Sequence, residues 1–566
     1  MGGLRAGAET QTVTSTAAGA AGTGERDRPP GAWRHRDSMS AYLLAGAVLF
    51  VAYLRLSETS QLNSDSANIL LMASDLLHGH PLLPGWYMSD VSFYPTEIPQ
   101  YALLESLLGV KMQTAHVAAA MTYTLAFLFA VLLARGGSSG RAAWTRTLIV
   151  AGIMLAPQLG LGVFALDLSV GHIGSSVPLL LLWLLLDRAT PRWYVPVITA
   201  GLLAWVLIAD QIVYIVGIGP LALVCAVRVL RGVITGSGPW PERIAGQWYE
   251  LSLGAAAVLA AGLAWVANQL ISGVGGYVMS KLPFYFVGPG HLHRNAPAAW
   301  KVLQIFGADY AGLGGVQFLL AFLHLASVIV VVLALLLLAR RFFGEISLVD
   351  QVLGVAVVTN VALFLLTNAA DLAAHEVAVI VPFGAVLAAR MLIRGTGAAS
   401  SPKGAARRAR LTALVAGGAV LAGYTAGFGY ELTRPSVPPA NISLAPWLLQ
   451  HHLTYGLSGY WTSSSVTVDS GQRVSVRALM QFTLKRDLWM SKSSWYDPKL
   501  HYANFVVLDS LPGFMNHWEP RFLIKKYFGV PARTYQVGPY TIMVWDRNLL
   551  NDIPGNGHRP KPVRSR

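Results

Sequence analysis

The chain contains a single cysteine, Cys225, so it can form neither an intrachain disulfide nor a metal site made of several thiolates. Charged residues are also scarce: they make up 12% of the 566 residues, whereas hydrophobic residues make up 54%. An average soluble protein has about 25% charged residues. This composition leaves too few polar side chains to cover a surface in water, and it predicts a protein that has lipid as part of its solvent.

The net charge of +14 comes largely from arginines that lie between apolar runs. One basic patch would be typical of nucleic-acid binding, whereas arginines at the ends of apolar runs indicate membrane topology. We therefore expect membrane lipids, and no nucleic acid, among the partners of this chain.

Apolar runs that approach the roughly 20 residues needed to cross a bilayer recur along the chain. They predict a polytopic α-helical membrane protein with about eleven transmembrane helices. The run at Gly174 is short, which leaves open a re-entrant pair in place of two full spans. The predicted spans are Met39–Leu56, Met112–Ala134, Thr147–Leu166, Gly174–Leu186, Tyr194–Ala209, Ile212–Val229, Leu251–Leu270, Val316–Ala339, Ser347–Thr367, Glu376–Ile393 and Leu411–Tyr424.

Basic residues concentrate in alternate connections between these spans. By the positive-inside rule, these connections and the N-terminus lie in the cytoplasm. With an odd number of spans the C-terminal region lies outside, which predicts a multi-pass protein of the cell membrane. The basic connections carry Arg135, Arg141 and Arg146; Arg188 and Arg192; Arg228, Arg231 and Arg243; Arg340 and Arg341; and Arg394, Lys403, Arg407, Arg408 and Arg410.

Composition divides the chain into four parts. Residues 1–38 predict a disordered cytoplasmic tail, because they have too few large apolar side chains to form a core. Residues 39–430 form the transmembrane part, 431–553 an extracytoplasmic α/β domain and 554–566 a frayed tail. The expected elements of the α/β domain are a hairpin over Val466–Val476, a strand at Phe505–Leu508, a helix at Arg521–Phe528 and a second hairpin over Thr534–Trp545.

Two outer connections, 57–111 and 272–315, are long enough to carry function. In the first, Asp65, Asn68 and Asp75 fall within about an 80° sector of a helix with 100° per residue. This pattern predicts a helix at the membrane surface whose acidic stripe faces a cavity. Asp65 is equally compatible with a simple first-turn acid behind a cap at Asn63 or Ser64.

Further candidates for chemistry follow in both long outer connections. Asp90 and Glu97 come later in the first one. In the second, basic residues stand among Pro, Gly and aromatic residues, where they would bind a phosphate or contact anionic head groups. These basic residues are Lys281, His291, His293, Arg294 and Lys301.

Other ionisable residues lie at the outer ends of predicted spans. There they either line the same cavity or simply end a helix in the interface. His78 and His80 lack a third ligand at a recognised spacing, so we assign no metal site. The residues at the span ends are Asp167, His172, Asp210, Asp371, His375 and Glu376.

The arrangement as a whole resembles the GT-C superfamily of membrane glycosyltransferases, which includes protein O-mannosyltransferases and the transferases that attach aminoarabinose to lipid A. The resemblance rests on the first span, on an outer C-terminal domain, and on four short motifs. It implies a donor sugar linked to a polyprenyl phosphate, with an envelope glycan, lipid or protein as acceptor. The motifs are Asp65-Ser-Ala67, Leu77-His-Gly-His-Pro81, Pro382 and Ala388-Ala-Arg390.

The family's common acidic pair, two carboxylates separated by one residue, is missing here, because Asn63 stands two residues before Asp65. The resemblance leaves a divalent cation open as a cofactor but identifies no ligand for it. It implies that a carboxylate activates the acceptor hydroxyl while cations neutralise the departing phosphate. Asp65 is the predicted base, with Asp90 and Glu97 behind it, and the predicted substrate-binding residues are Asn68, Asp75, His172, Lys281, His291, His293, Arg294 and Lys301.

We therefore predict an inverting glycosyltransferase that acts on the outer face of the membrane. A transporter or lipid flippase is the alternative from another class, although the span pattern shows no repeated half. A non-catalytic envelope-assembly protein is the third, and it should tolerate the loss of the acidic residues in the first outer connection.

Overall fold

The computed structural model describes residues 31–155, 171–281, 283–371, 374–393, 405–439, 441–510 and 517–555. In these residues the chain is mainly helical up to Thr433, and it mixes short strands and helices after that residue. Seven of the described helical segments are long and apolar enough to cross a membrane, so the chain belongs to the polytopic helical class. They are Ser40–Ser57, Met112–Arg135, Tyr214–Thr235, Trp248–Gly273, Gly315–Arg341, Leu348–Leu366 and Ala374–Leu392.

Each of the eleven predicted spans is helical over its described part, but the count of eleven crossings stays a prediction. Helix α1 begins at Gly31, so residues 31–38, predicted to be tail, are helical. Residues 1–30, the end of the third predicted span, Asp167 and the last eleven residues lie outside the described ranges.

The helices of the membrane part and its outer connections are numbered in chain order. Tyr214–Ile218 is a π-helical turn that leads into α8. The helices are α1 (Gly31–Ser57), α2 (Ser64–Leu77), α3 (Glu97–Leu108), α4 (Met112–Arg135), α5 (Gly140–Met154), α6 (Ile173–Arg188), α7 (Tyr194–Ala209), α8 (Gly219–Thr235), α9 (Trp240–Ala245), α10 (Trp248–Gly273), α11 (Ala296–Ile305), α12 (Gly315–Leu323), α13 (Leu325–Arg341), α14 (Leu348–Leu366), α15 (Ile380–Leu392) and α16 (Ala405–Thr433).

Helix α15 is the most deeply buried of these helices, and it packs against α4, α5, α13 and α14. Close packing depends on two glycines: a methyl group at Gly354 of α14 would overlap Leu338 of α13, and one at Gly384 of α15 would lie 3.1 Å from Val331. Small residues of this kind let neighbouring helices approach in a membrane, where packing replaces the hydrophobic effect.

Arg390, one of the motif residues, ends α15 among carboxylates from two other helices. Its Nε lies 2.5 Å from Asp350 Oδ1 and its Nη2 lies 2.7 Å from Asp187 Oδ1. Its Nη1 also donates to the Leu133 backbone oxygen at 2.9 Å. The buried guanidinium therefore joins α4, α6, α14 and α15 by charge-assisted hydrogen bonds.

The C-terminal part contains a six-stranded sheet with the order β4-β3-β6-β9-β8, and β7 pairs with β6. The apolar run of β6 is explained by burial on both faces, because Phe505 and Val507 enter one core while Val506 and Leu508 enter another. The strands are β3 (Tyr455–Ser458), β4 (Ser475–Ala478), β6 (Phe505–Ser510), β7 (His517–Trp518), β8 (Arg533–Val537) and β9 (Tyr540–Val544), and the helices are α17 (Leu444–Gln450), α18 (Tyr460–Asp469) and α19 (Arg521–Phe528).

Three of the four predicted C-terminal elements are confirmed: the strand at Phe505, the helix α19 and the antiparallel hairpin of β8 and β9. The hairpin predicted over Val466–Val476 is wrong. Its first half belongs to helix α18, and its second half is β4, which pairs in parallel with β3. The β-branched residues of α18 lie in a buried helix because packing overrides their strand preference.

A second, three-stranded sheet joins segments that are far apart in sequence. Strand β1 (Trp86–Met88) from the first outer connection pairs in parallel with β2 (Val278–Met279) from the second. On its other side β1 pairs antiparallel with β5 (Ser491–Lys492) from the C-terminal part. Both long outer connections and the C-terminal part are thus hydrogen-bonded into one structure within residues 48–566, which form a single compact unit.

Candidate active site

The polar stripe of helix α2 is covered by the C-terminal part of the chain. Asn63 caps the helix, because its side-chain oxygen accepts a hydrogen bond from the Asp65 backbone N–H at 3.0 Å. The Tyr460 hydroxyl, at the start of α18, donates to Asp65 Oδ1 at 2.5 Å and accepts from Asn68 Nδ2 at 3.3 Å. The first turns of α2 are therefore a docking face for α18.

Asp75, at the other end of α2, also has partners in two segments. Lys492 Nζ lies 2.5 Å from Asp75 Oδ2, and Trp86 Nε1 donates to the same oxygen at 2.7 Å. Nearby, Gln472 Nε2 donates to Ser74 Oγ at 3.1 Å. Asp75 thus holds β1, β5 and α2 together through one carboxylate.

The environment of Asp65 changes its acidity. Burial raises the pKa of Asp65 to about 6, although the hydrogen bonds from Tyr460 and Asn63 act in the opposite direction. A carboxylate with a pKa in this range is able to accept a proton at neutral pH.

A different set of ionisable residues lines a cavity of about 580 Å³ at the ends of α6, α7 and α14. We call it the acid cavity and define it by Asp90, His172, Asp210 and Glu376. Aromatic side chains, including Phe284 and Tyr285 of the second outer connection and Tyr214 of the π-helical turn, form part of its wall. Its lining does not include Asp65, Asn68 or Asp75.

His172 stands at the centre of this group, between two carboxylates. Its Nδ1 lies 2.9 Å from both Asp210 oxygens, and its Nε2 lies 3.0 Å from Glu376 Oε2. Ser175 Oγ also donates to Asp210 Oδ2 at 2.6 Å. Burial acts to lower the pKa of His172, but the two carboxylates outweigh it and raise that pKa well above its ordinary value. The ring is therefore an imidazolium that donates from both nitrogens.

Local backbone geometry brings these residues together. His172 directly precedes α6, and Asp210 directly follows α7, where it forms a β-bridge with Val91. The Ser92 backbone N–H donates to the Ala209 oxygen at 2.9 Å, which places Asp90 beside the end of α7. Gly171 has a φ of 103°, and a methyl group there would lie 2.9 Å from the His375 ring, so only glycine fits.

The charges of His172 and Asp210 affect the pKa values of both Asp90 and Glu97. Burial is the largest cause that raises the pKa of Asp90; His172 lowers it, while Glu376 and Asp210 raise it. Burial also raises the pKa of Glu97 to about 7, with Asp210 adding to the rise. The Glu97 carboxylate accepts from the Thr96 hydroxyl and sits against the first turn of α6, where a methyl group at Gly174 would overlap it.

The second outer connection closes one side of the acid cavity. Asn368, just after α14, holds Pro283–Tyr285: its Oδ1 accepts from the Tyr285 N–H at 3.0 Å and its Nδ2 donates to the Pro283 oxygen at 2.8 Å. Tyr285 and Asn368 also line a neighbouring cavity of about 290 Å³ that contains Arg294. A cationic side chain therefore lies in a cavity that shares two residues with the acid cavity.

The other basic residues predicted to bind phosphate are more dispersed. Lys281 and His293 are exposed, and Lys301 Nζ donates to the Ala370 backbone oxygen at 2.8 Å. His291 belongs to the 3₁₀ turn Pro289–Asn295. Of the predicted site residues, Asp90 and His172 line the acid cavity, and Arg294 lies next to it.

Asp210, Glu376 and Tyr285 were not among the residues selected from the sequence as the site. Asp210 and Glu376 were recognised as acids at the outer ends of spans, and that shared position was the only signal that they would converge. Within the described residues, no three His, Cys, Asp or Glu side chains are placed to hold a metal ion.

No protein-family model and no curated protein matches this sequence. Solved structures do match it. The structure of ArnT from Cupriavidus metallidurans bound to undecaprenyl phosphate aligns with a TM-score of 0.54 and 12% identity, covering 92% of this chain and 99% of that one. The apo structure of the same ArnT gives a TM-score of 0.51 and 11% identity, covering 90% and 98%.

These alignments extend over both the membrane helices and the C-terminal part. ArnT is a lipid A aminoarabinose transferase of the GT-C superfamily. The predicted resemblance is therefore confirmed at the level of the fold alone: along nearly its whole length this chain has the fold of ArnT.

Proposed function

We propose that the protein is a membrane glycosyltransferase that moves a sugar from a polyprenyl-phosphate donor to an acceptor in the cell envelope. The single observation that carries the proposal is the acid cavity, with Asp90 and the His172–Asp210–Glu376 group at the ends of apolar helices, in a chain with the fold of ArnT. The ArnT structure that binds undecaprenyl phosphate supports a lipid-linked donor for this chain.

In the proposed reaction, Asp90 is the general base. It removes the proton of an acceptor hydroxyl, whose oxygen attacks the anomeric carbon while the bond from that carbon to the phosphate oxygen breaks. The leaving polyprenyl phosphate keeps the electron pair, and one displacement inverts the anomeric configuration. Burial raises the pKa of Asp90, which makes its carboxylate a stronger base than a carboxylate in water.

The residues around Asp90 have supporting parts in this proposal. His172 lies between Asp210 and Glu376 and contacts both carboxylates, which fixes the floor of the cavity. Arg294 in the adjoining cavity, with Lys281, His291, His293 and Lys301 from the same connection, would neutralise the departing phosphate. Asp65 and Glu97 are the alternative bases, with Asn68 and Asp75 beside Asp65.

Orientation follows the basic connections. We propose that the N-terminus lies in the cytoplasm of a plasma-membrane protein, and that residues 431–553 form a domain outside. Reporter fusions placed after Arg408 and after Asp546 should report opposite sides of the membrane. If both fusions report the same side, the eleven-span arrangement is wrong. Either the number of spans has been miscounted, or the acid cavity faces the cytoplasm.

The catalytic test compares purified variants on a series of polyprenyl-phosphate sugars. Asp90→Asn should reduce transfer by about 10²–10⁴, the range for losing general base catalysis. Asp75→Asn is the matched control, since it removes a carboxylate of the same connection from an ion pair with Lys492 and should leave the rate within about threefold. Thermal melting in detergent checks that each variant is folded.

Asp65→Asn and Glu97→Gln complete the series. A large loss in either one, with Asp90→Asn active, would move the base to that residue. If all three variants transfer sugar at the wild-type rate, the carboxylates of this connection are not catalytic, and a transport or assembly function becomes the better explanation.

A further inference from the structure

A further polar cavity lies near the start of α14, away from the end of this helix that lines the acid cavity. It has a volume of about 310 Å³ and is lined by the last turns of α8, the first turn of α10 and the turn between α13 and α14. We call it the arginine cavity and define it by Arg228, Arg231, Glu250, Glu345 and Gln351. On α14, Gln351 precedes Asn360 of the acid cavity by nine residues, about 14 Å along the helix axis.

Arg228, one of the two arginines of this cavity, is bound within the protein through its Nη1 and Nε atoms. Arg228 Nη1 donates to Gln351 Oε1 at 2.7 Å and to the Ile346 backbone oxygen at 3.1 Å. Its Nε lies 3.6 Å from Glu250 Oε1. Arg228 and Glu250 therefore neutralise each other and shape the cavity.

The remaining two charges are still available to a ligand. Arg231 is exposed, and one of its nitrogens, Nη1, donates to the Gly344 backbone oxygen at 3.1 Å, which leaves further N–H donors. Glu345 is exposed as well, and among the described residues no basic group lies within 4 Å of its carboxylate. The cavity thus presents one unmatched cation and one unmatched anion, not an excess of either sign.

The surroundings of the cavity point to a lipid in place of a soluble ligand. Phe343, in the turn beside Glu345, is 66% exposed, and Leu230 and Ile234 of α8 are exposed next to Arg231. Trp248, at the start of α10, is exposed too. Aromatic residues at a membrane interface beside apolar helix faces are the usual neighbours of lipid head groups and the first part of their chains.

A methyl group at Gly232 would lie 2.5 Å from the Gln247 side chain, so glycine lets Gln247 close the cavity behind Arg231. A head group bound in this cavity would therefore lie beside two opposite charges, those of Arg231 and Glu345. We propose that the arginine cavity binds the head group of an aminophospholipid, with the phosphate of phosphoethanolamine at Arg231 and its ammonium group at Glu345.

The test uses the full-length protein, purified and delipidated in detergent, with phosphatidylethanolamine, phosphatidylglycerol and phosphatidylcholine of equal chain length. Binding is measured by native mass spectrometry. The wild type should bind phosphatidylethanolamine more tightly than the other two, because only its head group offers both a phosphate and a primary ammonium with N–H donors. Glycerophosphoethanolamine, which has the same head group but no chains, should bind more weakly.

Two variants separate the two charges. Arg231→Gln should weaken phosphatidylethanolamine binding by about fivefold, the scale of one exposed ionic contact. Glu345→Gln should weaken phosphatidylethanolamine similarly but leave phosphatidylglycerol unchanged or tighter. Arg340→Gln is the control, since Arg340 is exposed in the same region but does not line the cavity.

The proposal would be overturned if the wild type preferred phosphatidylglycerol and Glu345→Gln left that preference unchanged. The cavity would then be a simple anion site. Equal binding of phosphatidylcholine would exclude recognition of a primary ammonium. Both variant positions are exposed, so the variants should fold, and the comparison of the three lipids on the wild type decides the question independently of them.

Discussion

The first outer connection contains two groups of carboxylates that face different surroundings. Asp65 and Asp75 of α2 are bound by Tyr460 and Lys492 of the C-terminal part. Asp90, only fifteen residues after Asp75, lines a cavity with an imidazolium and two further carboxylates. The difference shows that the role of an acidic residue in such a connection depends on its partners. A carboxylate paired with lysine or tyrosine holds segments together. A carboxylate that lines a cavity is placed to act on a ligand.

The largest effect that separates the two groups is expected at His172. His172→Gln removes the cation between two buried carboxylates and should destabilise the protein by about 3–5 kcal/mol, the usual cost of breaking a buried pair. Thermal melting in detergent measures it. The double variant His172→Gln/Glu376→Gln should recover part of the loss, because it removes one of the unpaired charges. Equal melting temperatures of the wild type and His172→Gln would show that the imidazolium is not needed to keep Asp210 and Glu376 in place.

A smaller effect is expected at the docking face of α2. Lys492→Met leaves Asp75 without its cation and should cost about 1–3 kcal/mol, since Trp86 still donates to the carboxylate. Limited proteolysis should then cut the C-terminal part faster, while transfer per folded molecule stays within about threefold. Lys485→Met, at an exposed position, is the control. A Lys492→Met protein that is stable but inactive would place Asp75 in the reaction and end the distinction between the two groups.

The smallest effect concerns Asp65 and pH. Its pKa rises from 3.8 to about 6 on folding, so the folded chain holds this proton more tightly than the unfolded chain. Asp65 therefore costs stability as the pH rises from about 4 to about 6, and Asp65→Asn should gain on the order of 1 kcal/mol relative to wild type across that window. Melting of both proteins at pH 4, 5, 6 and 7 measures the difference.

Tyr460→Phe sharpens this pH test. It removes a hydrogen bond that lowers the pKa of Asp65, so the pH range over which stability falls because of Asp65 should extend to higher pH. A pH profile that is the same in wild type, Asp65→Asn and Tyr460→Phe would mean that burial does not perturb this carboxylate.

Sequence reasoning identified the membrane class and most local elements, because hydropathy, capping and strand alternation are local signals, and the resemblance it stated agrees with the ArnT-like fold. Asn63 does cap α2, and α19 has its predicted bounds. The partners of the acidic stripe were not predictable, since Tyr460 and Lys492 lie 395 and 417 residues away from Asp65 and Asp75. A polar stripe that contacts a distant helix has the same sequence periodicity as one that faces a cavity, so periodicity does not distinguish them.

The candidate site was missed in part for the same reason. His172, Asp210 and Glu376 each look like a residue that ends a helix near the interface, and each of them does lie at or near a helix end. Only their convergence, which depends on how α6, α7 and α14 pack, distinguishes them from ordinary helix-end residues. The hairpin predicted at Val466 failed because its strand-like residues are buried by α2 and the sheet, a contact that no local pattern reveals.

The three-stranded sheet has a consequence for how the protein is made. Strand β1 is synthesised long before β5, and it pairs with that strand only after nearly the whole chain has left the ribosome. Domains and segments fold in the order of synthesis, so the membrane helices are in place while the edge of β1 that pairs with β5 is still unpaired. The face of the protein that carries this sheet is therefore completed last, and we expect a chain truncated before Ser491 to insert into the membrane yet leave the edge of β1 unpaired.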